Sequence, residues 1–139
     1  MWSRGVIQWL GLLATAAAFA SAQAAPPACA PDIVGPWSGK VLDAGVIKGL
    51  ETRFSTGSGE LTGSYHVEDP DGGYDGTLTD FVASGPCAGS FLWHDRNGIG
   101  VVRVEFRPER DRFDGLWGID QPDPEHIFTG FRFRRVPVS

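Results

Sequence analysis

Glycine sits at the centre of a five-residue pattern, apolar–any–Gly–any–apolar, that this chain carries six times. The copies are Trp37-Ser38-Gly39-Lys40-Val41, Leu61-Thr62-Gly63-Ser64-Tyr65, Tyr74-Asp75-Gly76-Thr77-Leu78, Cys87-Ala88-Gly89-Ser90-Phe91, Phe113-Asp114-Gly115-Leu116-Trp117 and Phe128-Thr129-Gly130-Phe131-Arg132. The last is degenerate, because Arg132 holds its closing apolar position. Gly63, Gly76 and Gly89 are evenly spaced, and two further steps of the same length reach Val102, inside the run 101–106, and then Gly115. Alternation is the period of a strand with one wet face. A strand-plus-turn unit repeated at this spacing is an antiparallel meander. Glycine weakens a strand locally but permits tight bending and close backbone approach, which a sheet closing on itself requires.

Eight strands are predicted, at 35–42, 46–55, 59–67, 73–82, 87–94, 99–107, 112–119 and 126–135. The connections carry turn residues, among them Asp43-Ala44-Gly45, Gly57-Ser58-Gly59, Asp69-Pro70-Asp71-Gly72-Gly73 and Ser84-Gly85-Pro86. Asn97-Gly98 is the strongest hairpin signal, since both positions tolerate positive φ. The segment from Asp120 to Glu125 holds Pro122 and Pro124, which cannot donate to a ladder, and reads as a loop. No stretch sustains a helical apolar period. Eight short antiparallel strands joined by short turns predict an all-β, up-and-down barrel, because full closure leaves no exposed edge.

Parity assigns the two faces. One carries Trp37, Val41, Leu61, Tyr65, Val67, Tyr74, Leu78, Phe91, Trp93, Val102, Val104, Phe106, Phe113, Trp117, Ile119, Ile127, Phe131 and Phe133. The other carries polar and charged residues such as Ser38, Lys40, His66, Asp75, His94, Arg103 and Glu105. An eight-stranded barrel has an interior that side chains nearly fill, or that holds one small ligand, and so aromatic a lining suits either.

Residues 1–24 read as a signal peptide: Arg4 supplies a positive start, Val6 to Ala20 an apolar stretch too short to span a bilayer, and Ala22-Gln23-Ala24 a small-residue cleavage site. Residues 25–34 follow as an extended leader, rich in Pro and Ala and without core residues, and 35–136 form one barrel domain. The expectation is an exported protein, periplasmic or secreted, with no membrane span. In an oxidising compartment the two cysteines, Cys29 and Cys87, read as one structural disulfide. It would close a loop of about 60 residues, worth roughly 4 kcal/mol on the chain-entropy argument.

The formal net charge is −5, and loss of Arg4 makes the exported chain more acidic still. A domain this acidic is repelled by phosphate backbones and anionic lipid, so no nucleic-acid partner is expected. The basic residues Arg103, Arg107, Arg110 and Arg112 are interspersed with Glu105, Glu109, Asp111 and Asp114, which reads as solvated ion pairing.

Certain motifs resemble the calycins, the lipocalin and avidin class of small ligand-binding barrels. Gly35-Pro36-Trp37 resembles the lipocalin Gly-x-Trp signature. In that family the Trp packs at the closed end beneath an Arg from the last strand, which implies structural roles for Trp37 and for Arg132 or Arg134. Thr79-Asp80-Phe81 resembles the second lipocalin signature but comes too early in the chain. Gly59-Glu60-Leu61-Thr62-Gly63-Ser64-Tyr65 is similar to the avidin third-strand segment, which implies that Tyr65 donates to the ureido oxygen of biotin. The chain departs from avidins in placing Gly39 and Asp43 where they have Asn and Ser, and Val67 where they have a polar residue. Trp93 and Trp117 stand in for the tryptophans that cap the ligand. The resemblance thus implies the fold, not biotin as the ligand.

Other chemistry finds little footing. His66, His94 and His126 lack metal-ligand spacing, so no metal or other cofactor is expected. The segment from Asp69 to Asp75 invites calcium, but lacks the glycine and the bidentate Glu that an EF-hand loop needs, and reads as a turn. No serine sits in a nucleophile elbow and both cysteines are committed, so no enzyme is expected. Asp43, Glu51 and Glu60 are the carboxylates that could point into a barrel mouth. The expectation is a non-enzymatic binding protein holding a small hydrophobic or amphipathic ligand, with Tyr65, Trp93, Phe106 and Trp117 as its wall. The alternative is a filled, inhibitor-like barrel that docks a protein partner through the 120–125 loop and the Asp/Gly turn.

Overall fold

Alternation builds the strands and the turns set their lengths. In the computed structural model, which describes residues 27–132, the strands are β1 (Gly35–Asp43), β2 (Val46–Ser55), β3 (Thr62–Val67), β4 (Tyr74–Gly85), β5 (Ala88–Asp95), β6 (Gly98–Phe106), β7 (Arg112–Gly118) and β8 (Gly130–Phe131). Each pairs antiparallel with the next, and β8 returns to β1, so the sheet is a closed up-and-down barrel. This architecture is compatible with a calycin-like fold. The β1–β2 turn takes positive φ at both Ala44 and Gly45, the backbone that a two-residue hairpin favours. The Asn97-Gly98 hairpin forms one residue earlier than expected: Arg96 and Asn97 make the turn, and Gly98 pairs with Asp95.

The repeated glycines face inward with their apolar neighbours, and Gly76, Gly89 and Gly130 make room for rings while Gly39 and Gly115 admit a close backbone approach. A Cβ at Gly76 would lie 2.1 Å from the Tyr65 ring, and one at Gly130 would lie 2.1 Å from that of Phe113. β4 runs longer than expected, to Gly85, because Asp80 adopts a left-handed φ of 55° and a register shift between Thr79 and Val82 absorbs the irregularity. The shift leaves Phe81 packed on Phe91, with ring centroids 4.9 Å apart.

The last strand departs most from expectation. Regular pairing is confined to Gly130 and Phe131, preceded by single bridges at Leu116–Ile127 and Val41–Phe128. The cause is the proline loop. Asp123 N–H donates to Trp117 O and Trp117 N–H to His126 O, which fixes where the chain re-enters the sheet. Re-entry is one residue out of phase with the parity count, and a one-residue slip exchanges the faces. Phe128 is therefore buried, whereas Phe131 is exposed and Ile127 only half-buried; Ile119, also expected inside, lies just past the end of β7 and is exposed. Phe133 lies outside the described residues.

One end of the barrel is sealed. The segment expected to be an extended leader forms a single helical turn, α1 (Ala30–Ile33), started by Pro31 in its first turn. Cys29, Ala30 and Ile33 are all buried, so this segment belongs to the core. The Ile33 carbonyl accepts a hydrogen bond of 2.9 Å from Trp37 Nε1. Cys29 is disulfide-bonded to Cys87, at the start of the β5 side of the barrel. Behind this plug Trp37, Phe54, Phe106 and Phe113 meet edge-on or tilted, with centroids 5.3 to 6.4 Å apart. The Arg132 guanidinium lies 4.2 Å over the Trp37 ring, and its Nε donates to Arg110 O. Arg134, the other residue proposed for that place, and the signal peptide expected at 1–24 lie outside the described residues. No helix among the described residues is long and apolar enough to cross a membrane.

Candidate functional site: the open mouth

Strands β1, β3, β5 and β7 all run from the sealed end toward the other, and there the packing stops. A cavity of about 140 Å³ opens at that end. It is lined by the apolar side chains of Val41, Val67 and Phe128 and by the rings of Tyr65, Tyr74, Trp93 and Trp117. Asp43, Asp95 and Asn97 stand at its rim, with Ile119 beside them.

Three of the four residues expected to form a ligand wall come together here: Tyr65, Trp93 and Trp117. Phe106 does not. Alternation gave its face correctly, but it ends β6, which descends from mouth to plug, so it lies among Trp37, Phe54 and Phe113. Of the three carboxylates considered for the mouth, only Asp43 lines it. Glu51 lies outside, accepting from Ser38 Oγ at 2.9 Å, and Glu60 is exposed in the β2–β3 loop.

The wall's own hydrogen-bond donors are already used. Tyr65 Oη donates to Asp95 Oδ2 at 2.6 Å, and Tyr74 Oη donates to Asp43 Oδ2 at 3.0 Å. Trp93 Nε1 donates to Gly118 O at 3.0 Å, and Trp117 Nε1 to Leu42 O at 2.9 Å. Trp117 is held between two rings, edge-on to Trp93 inside and stacked on His126 outside at 4.2 Å. Tyr65, which the avidin likeness would aim at a ligand oxygen, gives its proton to Asp95 instead.

Electrostatics lock these phenols in the donor state. Burial, then the hydrogen bond and charge of Asp95, push the Tyr65 phenol far above its ordinary value of 10.0. Tyr74 is raised for the same reasons, burial first and Asp43 next. Burial opposes the charge on Asp43, but hydrogen bonds from Lys48 and Tyr74 outweigh it and hold the carboxyl below its usual range. Lys48 Nζ bridges Asp43 at 2.9 Å and Asp69 at 2.8 Å, tying the β1–β2 hairpin to the β3–β4 loop. Arg96 places its guanidinium 4.5 Å over Tyr74 and reaches Asp71 at 3.9 Å.

Asp95, Tyr74, Phe128 and Asn97 are not among the ligand-wall residues expected from sequence, where Asn97 is read only as part of a hairpin turn. The first two had a signal: Asp95 has the inward parity of Phe91 and Trp93, and Tyr74 already sat on the apolar face. Phe128 had one too, since it opens the sixth copy of the glycine repeat, although a parity count carried across the proline loop puts Ile127 and Phe131 inside instead. The acidic segment around Asp71 spends its carboxylates on separate partners, Asp69 on Lys48, Asp71 on Gly73 N–H and Asp75 on His66 Nδ1. Among the described residues, no group of three or more His, Cys, Asp or Glu is placed to hold a metal ion. No protein-family model matches the chain, and no curated protein or solved structure matches it.

Proposed function

We propose that this is an exported, non-enzymatic binding protein of calycin-like build that holds a small hydrophobic or amphipathic ligand in the barrel mouth. The observation that carries the reading is the asymmetry of the interior: one end is filled with interlocked rings, the other keeps a cavity of about 140 Å³ walled by tyrosine and tryptophan. A cavity of about that size accommodates a single-ring hydrocarbon. Aromatic walls with a few fixed polar groups are the usual make-up of a small-molecule site. The disulfide supports an oxidising compartment, and hence export.

Native mass spectrometry of the protein purified from its exported fraction without denaturation tests this. One small molecule per barrel is expected, and its loss in Trp117→Ala with the barrel still folded. A bare mass, together with no stabilisation by any single-ring compound, would overturn the reading.

One observation favours docking of a protein instead. On the outer face Leu92 pairs across from Val101, and with Leu92 and Ile99 exposed at 40% and 58% this makes an apolar strip on β5 and β6. An inhibitor-like module would use that strip, and Leu92→Lys would then abolish partner binding without touching the cavity.

A further inference from the structure

The hydrogen-bond ledger of the mouth restricts what chemistry can enter it. The two phenol and two indole protons that face the cavity are all donated to protein acceptors. Of the side chains lining it, only the Asn97 carboxamide keeps donors to offer. What the wall still presents is the lone pairs of two carboxylates and the faces of aromatic rings. Both attract positive charge: carboxylates through charge-assisted hydrogen bonds, ring faces through their quadrupole.

The two carboxylates are not equivalent. Asp43 is ion-paired with Lys48, which it shares with Asp69. Asp95 accepts from Tyr65 Oη and from the Asn97 backbone N–H at 2.7 Å, and among the described residues no basic side chain makes a salt bridge to it. The rim around them is acidic as well, with Asp43, Asp69, Asp71 and Asp95 set against Lys48 and Arg96. Tyr74 shows that these rings accept a cation, since one already lies over it.

We propose that the ligand is a small organic cation, an amine with a single-ring apolar body, whose ammonium is anchored by Asp95 while the ring packs on Trp93, Trp117 and Phe128. This rests on the binding reading above and narrows it. A carboxylate-bearing amphiphile, a fatty acid for example, would bring acceptors to acceptors and negative charge to a negative rim. A neutral ligand would gain the apolar contacts but leave Asp95 without a counter-charge.

Three probes sharing a phenylethyl body decide the matter by calorimetry or tryptophan fluorescence: 2-phenylethylamine, 2-phenylethanol and 3-phenylpropionate. The amine is expected to bind about ten-fold or more tighter than the alcohol, the difference a charge-assisted contact makes, with the acid weakest. Amine affinity should fall with added salt while that of the alcohol holds. Asp95→Asn, which keeps an acceptor for Tyr65, should remove most of the amine's advantage and leave the alcohol within about three-fold. Equal binding of amine and alcohol, or preference for the acid, would overturn the cation assignment and leave the pocket standing. Failure of all three to bind would overturn both. The ratio and the salt dependence are read on the unaltered protein, so they decide even if the variant does not fold.

Discussion

The two ends of this barrel are made of the same strands and similar residues, yet they are organised by different physics. At the sealed end aromatic rings meet aromatic rings. Trp37, Phe54 and Phe113 are almost wholly buried, and the one polar atom of the group, Trp37 Nε1, is satisfied by the helical plug. At the mouth the rings are as numerous but carry polar handles, and every handle is tied to a carboxylate or a carbonyl. The first arrangement maximises contact and excludes water. The second fixes ring orientation around a space left empty, which is what preorganisation for a ligand requires. Aromatic content alone does not tell the two apart, and edge-on ring contacts occur at both ends; the number of ring polar groups tied to fixed acceptors, one at the sealed end against four at the mouth, does.

Truncation should divide the two ends sharply. Phe113 is fully buried, touches Trp37, Phe54, Phe106 and Phe128, and overlies Gly130, so Phe113→Ala is expected to cost about 3–5 kcal/mol in denaturant unfolding. Trp117, half-exposed at the mouth, should cost markedly less when truncated. If Trp117→Ala proves as destabilising as Phe113→Ala, the mouth is core and the contrast fails.

How far this contrast was legible in the sequence follows from what alternation encodes. Parity reports the face of a residue, and it placed Trp37, Tyr65, Trp93 and Phe113 inside. Height along the barrel is a separate coordinate, set by where each strand starts, and ignoring it put Phe106 in the ligand wall. Asp43 is already expected at the mouth from sequence, and carrying parity to the end of β5 adds Asp95, which follows Trp93 at even spacing. Residues 30–33 were beyond reach, because so short a helix has no period to detect and gains its stability from the disulfide and the barrel floor. The phase of the last strand is set by hydrogen bonds inside the proline loop, which a parity count does not see, although the repeat Phe128-Thr129-Gly130 carries it.

A subtler separation comes from titration, because the chain has only two tyrosines and both line the mouth. In each, the folded state favours the neutral phenol. Its contribution to stability is therefore complete below pH 10, the ordinary phenol value, and is lost as pH rises beyond it. Asp43 acts at the other extreme: its carboxyl is depressed, so its contribution is present above pH 3.8 and fades as pH falls below that value. Tyrosinate absorbance of the native protein should stay flat through pH 10 and rise only well above it, whereas the denatured chain titrates near 10.0. Normal titration in the native state would mean that neither phenol is locked to its carboxylate.

The smallest expected effect locates the boundary between the two regimes. Thr52 faces inward on β2, paired on one side with Trp37 of the sealed end and on the other with Tyr65 of the mouth. It is the only buried polar residue among those described, and its Oγ1 has no hydrogen-bond partner. A buried hydroxyl left without a partner costs about 1–3 kcal/mol in desolvation, so nearly isosteric Thr52→Val should raise stability by about 1 kcal/mol. For a domain of this size that is roughly 4–8 °C in Tm. The gain would place Thr52 on the dry side, with the mouth beginning only at Tyr65. A loss of similar size would show that the hydroxyl is satisfied in solution by water held within the barrel. The wet region would then extend below Tyr65, and the cavity would be deeper than its side-chain lining implies.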